Sequence, residues 1–199
     1  MNNGHAAEIL SGTELLLGDP TNPDARDISE MLTTIGINVY HHTVVGDNPE
    51  RLKQAMEIAM QRADIIITTG GLGPTCDDLT KNVIAQALGR EMVFVPEEAE
   101  RLKGYFARRH REMTPNNLQQ AYLPAGSIRL VNDWGSAPGC VIEEGGLTVI
   151  MLPGPPKECV NMMRHRALPY LAAKAGGVIV SHNYKIFGMG ESEMENVLR

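Results

Sequence analysis

The sequence predicts an α/β fold, a three-layer, doubly wound and mostly parallel sheet. Three strand-helix units follow one another in the first half of the chain, and such alternation is typical of a parallel sheet covered by helices. The third strand, Ile65 to Ile67, is a run of β-branched residues, as expected of a central strand buried on both faces. The 199 residues suffice to bury one substantial core.

The first half of the chain alternates extended and helical patterns. A strand from Ala7 to Leu10 precedes a helix from about Asp24 to Thr34, in which apolar residues recur at helical spacing. Ile37 to Val45 is extended, and the next helix begins at Pro49. That helix carries an apolar stripe at i, i+3, i+4 and i+7, which predicts packing of one face on the sheet.

The second half of the chain is less regular. Pro96 to Arg111 predicts a charged, exposed helix, and Thr114-Pro115 predicts the start of a short one. Cys140–Glu143 and Leu147–Leu152 flank Gly145-Gly146, which predicts a hairpin.

Further along, a helix is expected from Pro153 toward Leu171, a strand from Val178 to Phe187, and another helix from Glu191. Residues 1–5 are interpreted as a disordered lead or cloning remnant, and residues 6–175 as the α/β domain. Residues 176–199 then form a separate segment.

Composition and charge exclude several classes of protein. The net charge of −6 argues against nucleic-acid binding, which normally needs a basic face. No stretch of the sequence predicts a membrane span or a signal peptide. The three cysteines show no paired spacing, which fits a reducing compartment and predicts a cytoplasmic protein.

The predicted ligand site lies outside the carboxyl ends of the strands, where open parallel sheets bind their ligands. Glycines there would let a ligand approach the backbone, and a helix starting near Asp78 would direct N–H groups at it. The loop is neither a P-loop nor a dinucleotide fingerprint, so its pattern predicts an anion site. The residues expected at this edge are Gly12, Thr13, Glu14, Gly46, Asp47, Gly70, Gly71, Gly73, Pro74, Thr75, Asp77, Asp78, Pro153 and Gly154.

The two most interesting carboxylates also have structural interpretations. Thr75 and Asp78 have the spacing of a capping box, so capping alone would explain Asp78. Asp47 could likewise cap the helix that begins at Pro49. The sequence leaves the capping and the functional interpretation of both residues open.

Several motifs resemble the N-terminal domain of the CinA (competence/damage-inducible) family. They are Gly12 to Gly18, Val45 to Asn48, Thr69 to Thr80, Arg111 to Asn117, Ala137-Pro138-Gly139 and Leu152 to Pro156. The resemblance covers about residues 7–199. That domain is similar to the molybdopterin-binding domains of molybdenum-cofactor enzymes. The resemblance also implies that residues 176–199 begin a KH-like α+β segment that is truncated here, and that a nicotinamide-mononucleotide deamidase domain or partner lies outside this chain.

The resemblance implies a function, the divalent-metal-dependent hydrolysis of ADP-ribose to AMP and ribose 5-phosphate, with Mg, Mn or Co as the metal. Asp47 and Asp78 would bind the metal or orient water, with Glu14 and Asp77 as further catalytic candidates. The implied ligand-binding residues are Gly70, Gly71, Gly73 and Thr75 around the phosphates and Asn132, Gly135, Pro138, Gly139 and Gly154 around the nucleoside. Further ligand-binding candidates are Gly12, Thr13, Thr69, Pro74 and Pro153.

Two alternatives to this enzyme remain at the level of sequence. One is a non-catalytic module that binds a pterin or a nucleotide and assists a deamidase. The other is a molybdenum-cofactor synthesis enzyme, although Leu72 and the Asp77-Asp78 pair favour the CinA family. A homodimer is also expected, because the hairpin at Gly145-Gly146 and the strand from Val178 to Phe187 would offer unpaired edges.

Overall fold

The computed structural model describes residues 6–11, 23–174 and 187–198. Its main sheet contains six strands. They are β1 (Ala6–Ser11), β2 (Asn38–Val44), β3 (Ile65–Thr69), β6 (Ile128–Leu130), β7 (Gly139–Glu144) and β8 (Leu147–Leu152). A separate antiparallel pair joins β4 (Met92–Phe94) to β5 (Tyr122–Pro124). These two short strands and β6 were not predicted from the sequence.

The helices match the predicted order, and the helix expected from Pro153 toward Leu171 is divided by a π-helical turn. They are α1 (Pro23–Thr34), α2 (Pro49–Met60), α3 (Thr80–Ala87), α4 (Pro96–Ala107), a 3-10 helix (Pro115–Ala121), α5 (Pro156–Met162), a π-helical turn (Met163–Ala167), α6 (Leu168–Lys174) and α7 (Glu191–Leu198). None of the helices in the described ranges is long and apolar enough to cross a membrane.

The strand order of the main sheet is β2-β1-β3-β8-β7-β6. Neighbouring strands from β2 to β8 run parallel, whereas β7 and β6 are antiparallel to their neighbours. All five residues of β3 are buried, because β3 lies between β1 and β8 and is covered on both faces. The predicted mostly parallel α/β class is therefore confirmed.

Helices cover both faces of this sheet and create two separate cores. Ile67 of β3 belongs to the core that contains Ile28 of α1 and Met162 of α5. Its neighbour Ile66 belongs to the opposite core, which contains Met56 of α2 and Ile84 of α3. Successive strand residues point to opposite faces, so the continuous apolar run in β3 is explained by a three-layer arrangement.

The hairpin formed by β7 and β8 is confirmed, with positive φ angles of 54° and 95° at Gly145 and Gly146. Its edges are not exposed, however, because β8 also pairs with β3 and β7 pairs with β6. The expectation that this hairpin offers unpaired edges for dimerisation is therefore wrong. The other expected edge, the strand from Val178 to Phe187, lies outside the described residues except for Phe187.

One buried ion pair connects the parallel strands to α2. Glu8 of β1 is fully buried and accepts hydrogen bonds from Arg62 at 2.7 and 2.9 Å and from Thr43 of β2 at 2.7 Å. Burial alone would raise the pKa of Glu8, but the hydrogen bonds from Arg62 and Thr43 and the charge of Arg62 together lower it below its usual range. The folded chain therefore favours the ionised form of Glu8 over the protonated form more strongly than the unfolded chain does.

We expect Glu8→Gln to lower the free energy of unfolding at pH 7 by about 1–2 kcal/mol, since it removes a charged hydrogen-bond acceptor whose partner is partly exposed. A carboxyl with a depressed folded pKa contributes stability above its unfolded pKa and loses it as the pH falls through the folded pKa. The difference between wild type and variant should therefore shrink in urea unfolding curves below about pH 4.5. Glu57→Gln, which breaks an exposed pair with Lys53, is the control and should change little. An equal loss at pH 3 and pH 7 for Glu8→Gln would contradict this account.

Candidate functional site

The loops after β3 and β8 meet backbone to backbone at the carboxyl edge of the sheet. The Gly70 N–H donates to the Leu152 carbonyl at 3.0 Å. A Cβ atom built on Gly154 would lie 3.2 Å from the Cα of Gly70. Gly70 also has a φ of +91°, a conformation that favours glycine. The two glycines therefore permit a contact between loops that larger residues would separate.

A cleft lies on each side of the loop after β3. The acidic cleft, with a volume of about 180 Å³, contains Asp47 from the loop after β2 and Asp77 and Asp78 from the loop after β3. The apolar cleft, with a volume of about 500 Å³, lies on the other side. Its lining includes Leu72, Gly73, Pro74, Gln120, Ser136, Ala137, Pro153, Gly154, Pro155 and Glu158. Gly70, Gly71 and Asp78 line both clefts, so this loop forms the partition between them.

Asp78 closes a turn inside this loop. Its Oδ2 accepts hydrogen bonds from the Thr75 backbone N–H at 2.9 Å and from the Thr75 hydroxyl at 2.6 Å. Helix α3 begins only at Thr80, and its N-cap Leu79 makes no side-chain capping bond. The expected helix start near Asp78 is confirmed. The Thr75–Asp78 contact expected from the capping-box spacing is present, but it closes a turn before the helix, so the interpretation of Asp78 as a helix cap is wrong. Both hydrogen bonds use one oxygen, which leaves Oδ1 without a hydrogen bond to any described residue.

Asp47 is not a helix cap either. The N-cap of α2 is Asn48, whose side chain accepts a hydrogen bond from the Arg51 N–H at 3.0 Å. Asp47 itself is exposed and lines the acidic cleft. The capping interpretation therefore fails for both aspartates, and both lie in the same cleft.

The remaining glycines of the loop are explained by its compactness. A Cβ atom on Gly71 would overlap the Thr80 side chain, and one on Gly73 would lie 2.5 Å from Asp78 Oδ2. Thr75 is exposed and directs its N–H and hydroxyl to Asp78. Thr69 is buried at the end of β3 and lines the acidic cleft. Contacts within the loop therefore make it compact without a ligand.

Four residues expected to surround the nucleoside organise the loop behind the wall of the apolar cleft. Asn132 is fully buried, and its Nδ2 donates to the Ala137 carbonyl and to Glu158 Oε2 at 2.8 and 2.7 Å. Its Oδ1 accepts from the N–H groups of Trp134 and Gly135 at 2.9 and 2.8 Å. Gly135 lies against the Glu158 side chain, and Gly139 pairs with Leu130 in the sheet. Pro138 is buried. None of these four lines the apolar cleft.

Pro153 and Gly154 do line the apolar cleft, together with Pro155. Gly12, Thr13 and Glu14 lie outside the described residues. Their roles stay predictions, as do the functional roles of all the other site residues.

Sequence reasoning missed four polar residues near the site. Gln120, Ser136 and Glu158 line the apolar cleft. Lys81 is buried in the first turn of α3 and donates from Nζ to the Gln119 carbonyl at 3.0 Å. Burial lowers the pKa of Lys81 to about 8. The spacing of Lys81 from the buried residues Ile84 and Ala85 was the available signal that it faces the interior.

The carboxylates of the acidic cleft fit a cation that takes its remaining coordinating atoms from a ligand. The part of the chain that the structure describes contains no group of three or more His, Cys, Asp or Glu residues that could hold a metal by itself. Asp47, Asp77 and Asp78 nevertheless line one cleft. Mg²⁺ is usually bound through one or two carboxylates together with waters and substrate phosphates. These aspartates therefore suit a hard divalent cation that arrives with a phosphate ligand.

We expect Gly71→Ala to destabilise the fold more than Gly89→Ala does. The φ angles are similar, +68° and +63°, so backbone strain should cost each variant about 1–2 kcal/mol. Only Gly71 has a neighbour, the Thr80 side chain, in the space that a Cβ would occupy, which should add about 1–3 kcal/mol. Denaturant unfolding of the two variants measures the difference, and equal losses would show that the loop can relax around the new methyl group.

Comparison with known proteins gives the class to which this site belongs. A family model described as "Probable molybdopterin binding domain" matches residues 7–173. The CinA-like protein of Dictyoglomus turgidum is 50% identical over 193 residues, which are 96% of this chain and 47% of that protein. The crystal structure of CinA from Thermoplasma acidophilum, described as a protein of unknown function, is 31% identical with a TM-score of 0.74, and the match covers 84% of this chain and 96% of that one.

A more distant structure shares the fold alone. The molybdopterin biosynthesis enzyme MoaB from Thermus thermophilus is 21% identical with a TM-score of 0.55, over 86% of this chain and 96% of that one. The family model makes this a molybdopterin-binding-type domain. The chain belongs to the CinA family, and it spans about half the length of the curated relatives it matches.

Proposed function

We propose that this domain binds ADP-ribose across the loop between the two clefts and hydrolyses its diphosphate to AMP and ribose 5-phosphate with a divalent cation. The observation that carries the proposal is the partition itself. Gly70, Gly71 and Asp78 border two clefts of unequal size and polarity. ADP-ribose likewise has a diphosphate between two unequal groups, a ribose and an adenosine.

The chemistry of each cleft suits one end of this ligand. Ribose is small and carries hydroxyl donors, which match the carboxylates of the 180 Å³ acidic cleft. Adenosine is larger and has a flat, apolar base, which matches the 500 Å³ cleft containing Leu72, Ala137 and Pro153. The backbone N–H groups of a glycine-rich loop can donate to phosphate oxygens. The diphosphate would therefore lie over the partition.

The acidic cleft also explains why a cation is needed. A diphosphate beside Asp47, Asp77 and Asp78 would be repelled by their negative charges. A divalent cation, when bound, neutralises phosphate oxygens and lowers the pKa of a coordinated water. Asp47 and Asp78 would hold this cation, Asp78 through its Oδ1, and Asp77 would orient water or a ribose hydroxyl. Mg, Mn and Co are all suitable.

A second function has its own support, a non-catalytic nucleotide- or pterin-binding module that assists a nicotinamide-mononucleotide deamidase domain or partner. Thr75 already occupies Oδ2 of Asp78, and the described residues include no complete metal-ligand cluster. A pterin would fit the apolar cleft as a flat ring. Molybdopterin binding in cofactor synthesis is supported only by the fold shared with MoaB.

Asp78→Asn separates the enzyme from the binding module. Asn keeps the shape of the side chain and can still accept hydrogen bonds from Thr75, so the thermal melting temperature should change little. Loss of the negative charge should reduce hydrolysis of ADP-ribose by about a hundredfold or more. AMP release in the presence of Mg, Mn or Co measures the effect.

Asp27→Asn is the matched control for this experiment. Asp27 lies on α1 in an ion pair with Arg26 and lines neither cleft, so its removal should leave hydrolysis unchanged. Retained hydrolysis in Asp78→Asn would exclude a catalytic role for this carboxylate. A wild-type protein that binds ADP-ribose and never cleaves it would support the binding module instead.

We also propose a cytoplasmic homodimer. Phe94 of β4 and Tyr122 of β5 are exposed and contact each other with ring centroids 5.3 Å apart. Aromatic residues are enriched at subunit interfaces. Light scattering at micromolar concentration should therefore report twice the mass of the chain, and Phe94→Ser should shift the protein toward monomer. A monomeric wild type would refute the dimer.

A further inference from the structure

The wall of the apolar cleft contains a buried hydrogen-bond acceptor without a partner. Gln120, from the 3-10 helix, lines this cleft and is only 1% exposed. Its Nε2 donates to Ser136 Oγ at 3.2 Å. Its Oε1 is buried and has no hydrogen-bond partner among the described residues. Buried polar atoms in folded proteins nearly always have a partner, so this oxygen is available to a donor group on a ligand.

The neighbouring Ser136 supplies a complementary donor. Because Ser136 Oγ accepts from Gln120, its own hydroxyl proton remains to be donated. The backbone of Ser136 is fixed, since its carbonyl accepts a hydrogen bond from Arg101. Arg101 is in turn held by the fully buried Glu98 through a bond of 2.6 Å. The cleft wall therefore contains one acceptor and one donor on neighbouring side chains.

We propose that Gln120 and Ser136 recognise the amino edge of an adenine base. The 6-amino group would donate to Gln120 Oε1, and the Ser136 hydroxyl would donate to an adjacent ring nitrogen. Adenine presents a donor beside an acceptor, and a glutamine side chain pairs well with this pattern. Hypoxanthine presents the reverse pattern, an oxo acceptor beside an N–H donor, and is mismatched. This inference rests on the proposed binding of ADP-ribose and names the residues that select its base.

The rest of the cleft is suited to hold the ring in this orientation. Leu72, Ala137 and Pro153 give apolar surface to the faces of a flat base. Oε1 has almost no solvent exposure, so the half-buried Ser136 side chain shifts when the base enters. Side-chain rearrangements of this size are common when ligands and partners bind.

Equilibrium binding of AMP and IMP tests this inference, because the two nucleotides differ only at the base edge. Isothermal titration calorimetry of the wild-type protein should give AMP an affinity about tenfold or more above that of IMP. Gln120→Met keeps the length of the side chain and removes its polar atoms. In this variant AMP should bind as weakly as IMP does.

Gln119→Met is the matched control, since Gln119 is the exposed neighbour and contacts Lys81 through its backbone carbonyl. This variant should keep the preference for AMP. Its thermal melting curve and that of Gln120→Met show that both are folded.

The possible results distinguish this inference from the function on which it rests. Equal affinities for AMP and IMP, or a preference for IMP, in the wild type would overturn recognition by Gln120 while leaving hydrolysis of ADP-ribose intact. A preference for AMP that persists in Gln120→Met would assign the recognition to other residues. If the wild type binds none of AMP, IMP and ADP-ribose, both proposals fail. The comparison in the wild type needs no variant, so it can refute the inference even if Gln120→Met does not fold.

Discussion

The contact between Gly70 and Gly154 is the constraint on which the site depends. Strands β3 and β8 are parallel neighbours, so the loops that follow them leave the sheet at the same edge. A Cβ atom on Gly154 would lie 3.2 Å from the Cα of Gly70, which is a tight contact. A backbone hydrogen bond from Gly70 to Leu152 joins the ends of the two strands. The loop after β3 is thereby fixed between the two clefts. The ligand-binding surface is therefore a consequence of how two central strands end.

Buried charges fix the elements that surround this contact. Glu8 of β1 is paired with Arg62, which follows the C-terminal end of α2, and it also accepts a hydrogen bond from Thr43 of β2. Glu98 is paired with Arg101 and Arg129, and Arg101 also donates to the carbonyls of the loop that carries Ser136. A buried carboxylate without a partner would be very costly. The first pair therefore joins β1, β2 and the end of α2, and the second holds the wall of the apolar cleft at Ser136.

The main features of the fold were predictable because they follow from periodicity. The buried run at Ile65–Ile67, the helical stripes and the glycine hairpin each determine local structure, and together they determine a parallel sheet. The three-residue strands β4, β5 and β6 are too short to show any alternation, and they form only because tertiary neighbours pair with them. The hairpin edges were misjudged for the same reason, since β6 covers β7.

The candidate site was predictable in its location and less so in its details. The rule that ligands bind at the carboxyl edge of a parallel sheet brought Asp47 and Asp78 together correctly, whereas local spacing alone suggested helix caps that Asn48 and the start of α3 at Thr80 exclude. Gln120 gave no signal in the sequence. Its burial in the cleft wall depends on the packing of the 3-10 helix against the loop at Ser136. A hydrogen bond between the Gln120 and Ser136 side chains joins the two segments.

The position of the ligand is the central claim, and amide chemical shifts measured by NMR during titration with ADP-ribose and a divalent cation test it most directly. The largest shifts are expected in the loop from Gly70 to Asp78, with smaller ones at Asp47 on one side and at Ser136 and Gly154 on the other, because the diphosphate would lie on the partition between the clefts. Shifts concentrated elsewhere, for example at the basic end of α4 around Arg108 to Arg111, with the Gly70–Asp78 loop unchanged, would contradict the account.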